Sequence, residues 1–180
     1  RYGDWLGGAV RGDLGESIYT KGAKVSSALW SRLPVTASLT FGGLAVSFLL
    51  GLPAGIYAAV RAGRRGDRIV SAIASFGQAA PNFWIAALLA LFLAVQRSWF
   101  PAVFYVGPTS SITEWLRSIT LPSIALGLAG GAALARQTRS ALIGVLQLDY
   151  VRTALAMGAT KRQVVFKHAL RNAILPVVTV

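Results

Sequence analysis

Residues 33–60 read LPVTASLTFGGLAVSFLLGLPAGIYAAV, 28 residues without one Asp, Glu, Lys or Arg. A bilayer crossing needs about 20 consecutive apolar residues, and a buried helix of a soluble domain rarely runs so far without charge. Residues 69–96, IVSAIASFGQAAPNFWIAALLALFLAVQ, repeat the pattern at the same length. A third span is expected at 121–146, and a fourth begins near Ala173 and is cut short at Val180. The whole chain of 180 residues is 54% hydrophobic and 13% charged, where soluble domains carry about 25% charged residues. Its mean hydropathy is +0.58. The expected fold class is all-α, a polytopic membrane helical bundle with about three complete transmembrane helices and the start of a fourth. The chain lacks an initiating Met, and no span has the layout of a signal peptide. A piece of a longer protein is expected.

The formal net charge of +12 would point to nucleic acid in a soluble domain. Its distribution points elsewhere. Arg61, Arg64, Arg65 and Arg68 with Asp67 put +3 between the first two spans. Arg136, Arg139, Arg152, Lys161, Arg162, Lys167 and Arg171 with Asp149 put +6 after the third. The stretches 1–32 and 97–117 carry only +2 and +1. Lys and Arg thus crowd alternate loops, as the positive-inside rule requires. The reading places 61–68 and 147–172 in the cytoplasm and 1–33 and 97–119 outside. Residues 1–33 form an extracytoplasmic segment, with an amphipathic stretch at 23–33, and 34–180 the membrane domain. The partner of this surface is lipid, with no nucleic acid. Cysteine is absent, which excludes disulfides, zinc–thiolate sites and thiol catalysis.

Pro34, Pro122 and Pro176 are expected to open spans, where a missing N–H costs nothing. Pro53 and Pro81 fall inside apolar runs. Pro53 reads as an ordinary membrane-helix proline, whereas Pro81, flanked by Gln78 and Asn82, reads as a bend beside a cavity. Gln78, Pro81 and Asn82 are therefore the candidate pore-lining residues. The loop 97–119 carries Trp99, Phe100, Phe104, Tyr105 and Trp115, read as an interfacial aromatic belt with a short re-entrant or surface helix. Arg136 and Arg139 are expected to snorkel or pair with another helix, and Gly127, Gly130, Gly131 and Ala135 to pack closely against one. Asp67 is expected to pair locally or cap the next span. His168, the one histidine, has no second metal ligand or triad partner nearby. Its expected role is a hydrogen bond holding the last polar helix to the bundle.

The polar run 149–172, DYVRTALAMGATKRQVVFKHALRN, lies between two apolar segments. Asp149 is a candidate cap for a first short helix with Val151, Ala154, Leu155 and Gly158 along one face. Gly158 stands where a left-handed stop is expected. Thr160 and Gln163 form an S/T-x-x-Q capping box that opens a second helix. A helix–glycine–helix hairpin with small residues on its face suits docking into a groove on a cytoplasmic partner.

This stretch resembles the cytoplasmic EAA loop of binding-protein-dependent ABC transporter permeases, in the form found in the dipeptide, oligopeptide and nickel branch. Arg152-Thr153-Ala154 occupies the E-A-A place, Gly158 is the glycine, and His168-Ala169-Leu170-Arg171 stands where I-x-L-P occurs in the wider family. GDLGESI at 12–18, RLPVTASL at 32–39 and PNFW at 81–84 extend the resemblance upstream. The resemblance implies a type I importer permease in a bacterial inner membrane. Its ATPase-coupling loop would comprise Asp149, Tyr150, Arg152, Thr153, Ala154, Gly158, Ala159, Thr160, His168, Leu170, Arg171 and Asn172. The implied partners are a second homologous permease, cytoplasmic ABC ATPase subunits and an extracytoplasmic solute-binding protein. The implied cargo is a di- or oligopeptide, with nickel or glutathione as alternatives.

No G-x-x-x-x-G-K-[ST] phosphate loop occurs, so ATP would be used by a partner subunit. The chain is expected to bind no cofactor or metal and to hold no catalytic residue. A secondary transporter or channel is the rival reading. It calls for intramembrane carboxylates, histidines or inverted repeats, and the spans contain no Asp, Glu or His. A membrane enzyme needs a polar constellation in the spans, where Ser and Thr stand without a partner base.

Overall fold

The computed structural model describes residues 2–20, 22–101 and 104–173. Among them the regular structure is helical, with one isolated β-bridge between Glu16 and Lys24. Helix α1, Tyr2–Val10, precedes that bridge. Two long helices then dominate, α2 at Val25–Val60 and α5 at Ile112–Leu146. At 1.5 Å per residue each is more than 50 Å long, roughly, while the hydrocarbon core is about 30 Å thick. Both therefore project beyond the bilayer.

That projection corrects two expected boundaries. Pro34 and Pro122 lie inside their helices and do not open them. The stretch 23–33 is not a separate amphipathic segment, because most of it is the first part of α2. Likewise, among the described residues no separate surface helix precedes the third span, because α5 begins at Ile112. The Ser111 side chain accepts the Glu114 N–H at 3.4 Å, which fixes the start of α5. The Ser-x-x-Glu signal was present in the sequence. Helix α2 continues past Pro53 without a break, as expected for an ordinary membrane-helix proline.

Between the long helices lie α3, Arg65–Ala79, and α4, Asn82–Leu89, which continues as a π-helical turn over Ala90–Gln96. The two are bent by 98° at the break. Proline excludes the preceding residue from the helical region, and Ala80 accordingly sits at φ −72°, ψ 129°. The second expected span is thus a broken one, or a re-entrant loop, with Pro81 at its elbow.

Contacts fix the relative directions. Ser38 meets Trp115, Ser47 meets Gly127, and the Gly51 backbone lies against Gly131. Further along, Gly55 lies against Ala135, and Ala59 and Leu142 share a core. The numbers rise together, so α2 and α5 are parallel. Helix α3 runs the other way, with Asp67 at Arg139 and Gly77 at Ala132. Residues 61–64 and 147–173 therefore lie at one end of the bundle, and 97–101 and 104–111 at the other. The charge distribution demands this arrangement.

The α2–α5 seam is made of small residues at four-residue spacing: Gly43, Ser47, Gly51 and Gly55 against Gly127, Gly131 and Ala135. A Cβ on Gly51 would stand 2.5 Å from the Gly131 carbonyl oxygen, and one on Gly55 2.6 Å from that of Ala135. Such close backbone approach is how membrane helices gain dispersion energy without a hydrophobic driving force. Ser47 adds a polar link, donating its Oγ proton towards Gly43 O at 2.9 Å and Gly127 O at 3.0 Å. Gly127, Gly130, Gly131 and Ala135 do what the sequence implied, Gly130 lying against Ser47, and their partner helix is now identified. The fourth expected span, with Pro176, lies outside the described residues except for Ala173.

Candidate functional site

At the basic end of the bundle the chain forms the hairpin read from sequence. Helix α6 covers Asp149–Ala156. Gly158 then takes φ +90°, donating to Leu155 O at 3.0 Å while Ala159 N–H reaches Ala154 O at 3.0 Å. These two bonds form a Schellman stop. Thr160 caps α7, Lys161–Gln163, with both halves of the capping box made. The helix continues as a π-turn over Val164–Ala169 and stays helical to 173.

The start of α6 differs from expectation. Leu148 is the extended residue before the helix, and no side chain caps it. Asp149 is instead the first helical residue, almost fully exposed and 3.8 Å from Arg152. A carboxylate there still favours the helix through its dipole.

The second helix is fastened by apolar contact. Val165, Ala169 and Ala173, four residues apart, pack on Ala59 of α2 and Leu142 of α5. Within the hairpin, Asn172 Nδ2 donates to Tyr150 Oη at 2.9 Å. His168 is exposed and its side chain makes no hydrogen bond among the described residues, which corrects the tethering role expected of it. The stripe that does the work is small and apolar, and the 3.6-residue period could have shown it.

The outer side of the hairpin is open. Arg152, Thr153, Gly158, Thr160 and Arg171 are exposed, while Ala154, Ala159 and Leu170 are half-buried. A Cβ at Gly158 would meet nothing within 4 Å. Leu155 and Met157 are 42% and 80% exposed, apolar side chains at the tip of a polar loop. Sequence reading passed over Met157, although it is the single methionine in the chain and adjoins the glycine stop. Methionine adapts readily to a partner surface.

The three candidate pore residues gather at the α3–α4 elbow, and all are exposed in this chain. Gln78 Oε1 accepts from Arg136 Nη2, so Arg136 pairs with α3. Arg139 pairs with it too. Its Nε and Nη2 donate to the two Asp67 oxygens at 2.5 and 2.8 Å, and Asp67 also accepts from Gly63 N–H at 2.8 Å. Asp67 is buried, and its ion-pair partner lies 72 residues away. That corrects the expectation of a local ion pair, since Arg65 and Arg68 make no such bond to it. At the opposite end, Tyr105 and Trp115 bond Ser38 Oγ at 3.1 and 3.0 Å. These two aromatics therefore serve the α2–α5 contact, whereas Trp99 and Phe104 are exposed.

A profile of the family described as binding-protein-dependent transport system inner membrane component matches residues 51–180. The chain belongs to that family. The matched region runs from the middle of α2 through the hairpin to the end of the sequence. The chain is also similar over its full length to the oligopeptide transport system permease protein AppB of Bacillus subtilis, at 38% identity over 182 residues. It resembles a putative peptide transport system permease protein of Brucella abortus at 38% identity over 99% of the chain. A putative peptide permease protein of Brucella ovis is 40% identical over 99% of the chain. The chain spans 58%, 56% and 57% of these relatives, respectively. Membership makes the all-α bundle a multi-pass inner-membrane component of a transport system.

Proposed function

We propose that the chain is the membrane-spanning permease subunit of an ATP-driven importer. It forms part of the path for peptides and takes up the stroke of a separate cytoplasmic ATPase through residues 149–172. The observation that carries this reading is the hairpin itself. It presents Met157 and Gly158 outward, with Ala154 half-buried beside them, while Val165, Ala169 and Ala173 seat it on the ends of α2 and α5. A load on the hairpin reaches both long helices directly. Opposite-facing seats of this kind suit a lever between a motor and a pore.

On this reading the chain performs no chemistry and binds no cofactor. ATP is bound and hydrolysed by the partner, a second related permease completes the pore, and a solute-binding protein delivers cargo from outside. The names of the relatives support peptides as the cargo class. Gln78, Pro81 and Asn82, exposed at the elbow, are assigned to the pore side.

The test is copurification of the ATPase with the full-length permease. Ala154→Trp places a large side chain on the docking face. It should leave membrane insertion intact and reduce ATPase recovery at least several-fold. Unchanged recovery would remove the hairpin from the docking surface.

A further inference from the structure

Two clefts at the basic end share one side chain, Phe166. The first, of about 470 Å³, is floored by Leu52, Pro53, Ile56 and Val60 of α2 and ends at Tyr57 and Arg61. The second, of about 460 Å³, is lined by Arg162, Gln163, Lys167 and Arg171. We infer that together they form a binding site for one anionic phospholipid of the inner leaflet, an acyl chain lying in the first cleft and the phosphate held at the rim by Arg61, Lys167 and their neighbours.

Depth and charge carry the assignment. From Leu52 to Arg61 the helix rises about 14 Å, close to half of the roughly 30 Å hydrocarbon core. The apolar floor thus spans one leaflet and gives way to cations where headgroups lie. Arg61 is held in place, its Nη1 donating to Tyr57 Oη at 2.8 Å and its guanidinium carbon 4.7 Å from that ring's centroid. Phe166 and Val60 remain 57% and 51% exposed, leaving an apolar wall open beside the seam with α5.

Among the described residues no carboxylate lines either cleft. Asp67 is engaged by Arg139 and Asp149 lies beside Arg152. Among the described residues the rim cations Arg61, Arg162, Lys167 and Arg171 therefore have no acidic partner. A basic pocket between helices at the cytoplasmic surface matches an anionic headgroup, and each such cation adds attraction that a zwitterionic lipid lacks.

The experiment uses the full-length permease in phosphatidylcholine nanodiscs titrated with phosphatidylglycerol of identical chains, with retained lipid counted by native mass spectrometry. The wild type should retain phosphatidylglycerol in preference to phosphatidylcholine. The double variant Arg61→Gln/Lys167→Gln should weaken that retention by about tenfold or more. Val60→Trp, which fills the apolar cleft and leaves the rim cations in place, should weaken it as well. Equal retention of the two lipids by the wild type would overturn the inference without reference to any variant. So would a double variant that retains phosphatidylglycerol normally, or a Val60→Trp permease with undiminished retention. If the double variant sheds the ATPase while its lipid count stays constant, the rim is a protein-docking face and the lipid site is refuted.

Discussion

The α2–α5 seam and the 149–172 hairpin both depend on glycine, for opposite reasons. In the seam, Gly51 and Gly55 have ordinary helical conformations, and their lack of a side chain lets two backbones touch. At the hairpin, Gly158 has open space around it, and what matters is φ +90°. One site is about volume and the other about conformation. The first holds the bundle together. The second shapes a surface that the bundle leaves uncovered.

The comparison first requires that the two regions meet at the cytoplasmic end. The chain has no cysteine, so Ser110→Cys and Lys161→Cys can be labelled singly in intact cells with an impermeant thiol reagent. Labelling should be all-or-none, with Ser110→Cys modified and Lys161→Cys protected until the membrane is opened. The reverse pattern would invert the bundle.

Volume at the seam comes next. Gly55→Leu would drive a side chain into the Ala135 carbonyl and Thr138, whose atoms stand 2.6 Å from the added Cβ. Overpacking of this sort costs about 1–3 kcal/mol, and more where backbone must move. The full-length variant should accumulate poorly and unfold earlier in detergent. Gly144 supplies the contrast. It lies in α5 beyond the seam residues Gly127, Gly131 and Ala135, with nothing within 4 Å of an added Cβ. Gly144→Ala should be neutral or stabilising by up to about 1 kcal/mol from helix propensity.

Between these extremes lies the Asp67–Arg139 pair. Breaking a buried ion pair from one side costs about 3–5 kcal/mol, and the effect here falls at or below the lower end because the Arg139 side chain keeps 34% of its surface. Asp67→Ala should therefore lower thermal stability clearly, and Arg139→Gln in the same chain should restore part of it. Additive losses in the double variant would show that the two groups do not stabilise each other.

Much of this was legible in the sequence. The long charge-free runs gave membrane helices, the Lys/Arg asymmetry put the two basic loops at one end of the bundle, and Thr160 and Gln163 gave the hairpin's second start. Helix ends were less legible. Pro34 and Pro122 looked like openings because proline suits a first turn, yet the flanking polar residues extend both helices into water. The Asp67–Arg139 contact joins positions 72 residues apart, and local pattern cannot reveal such a partner. His168 drew attention as a rare polar residue, while the fastening lay in the plain spacing of Val165, Ala169 and Ala173.

The central claim is that the glycine stop of the hairpin, with open space around it, serves the transmission of work and not the stability of the bundle. Cargo uptake by cells carrying Gly158→Val, compared with Gly158→Asn and with the amount of each protein in the membrane, tests it most directly. Valine is strongly disfavoured at positive φ, whereas asparagine tolerates it. The account predicts normal membrane levels for both variants, uptake abolished in Gly158→Val and substantially kept in Gly158→Asn. Normal uptake by Gly158→Val with its ATPase attached would contradict the account.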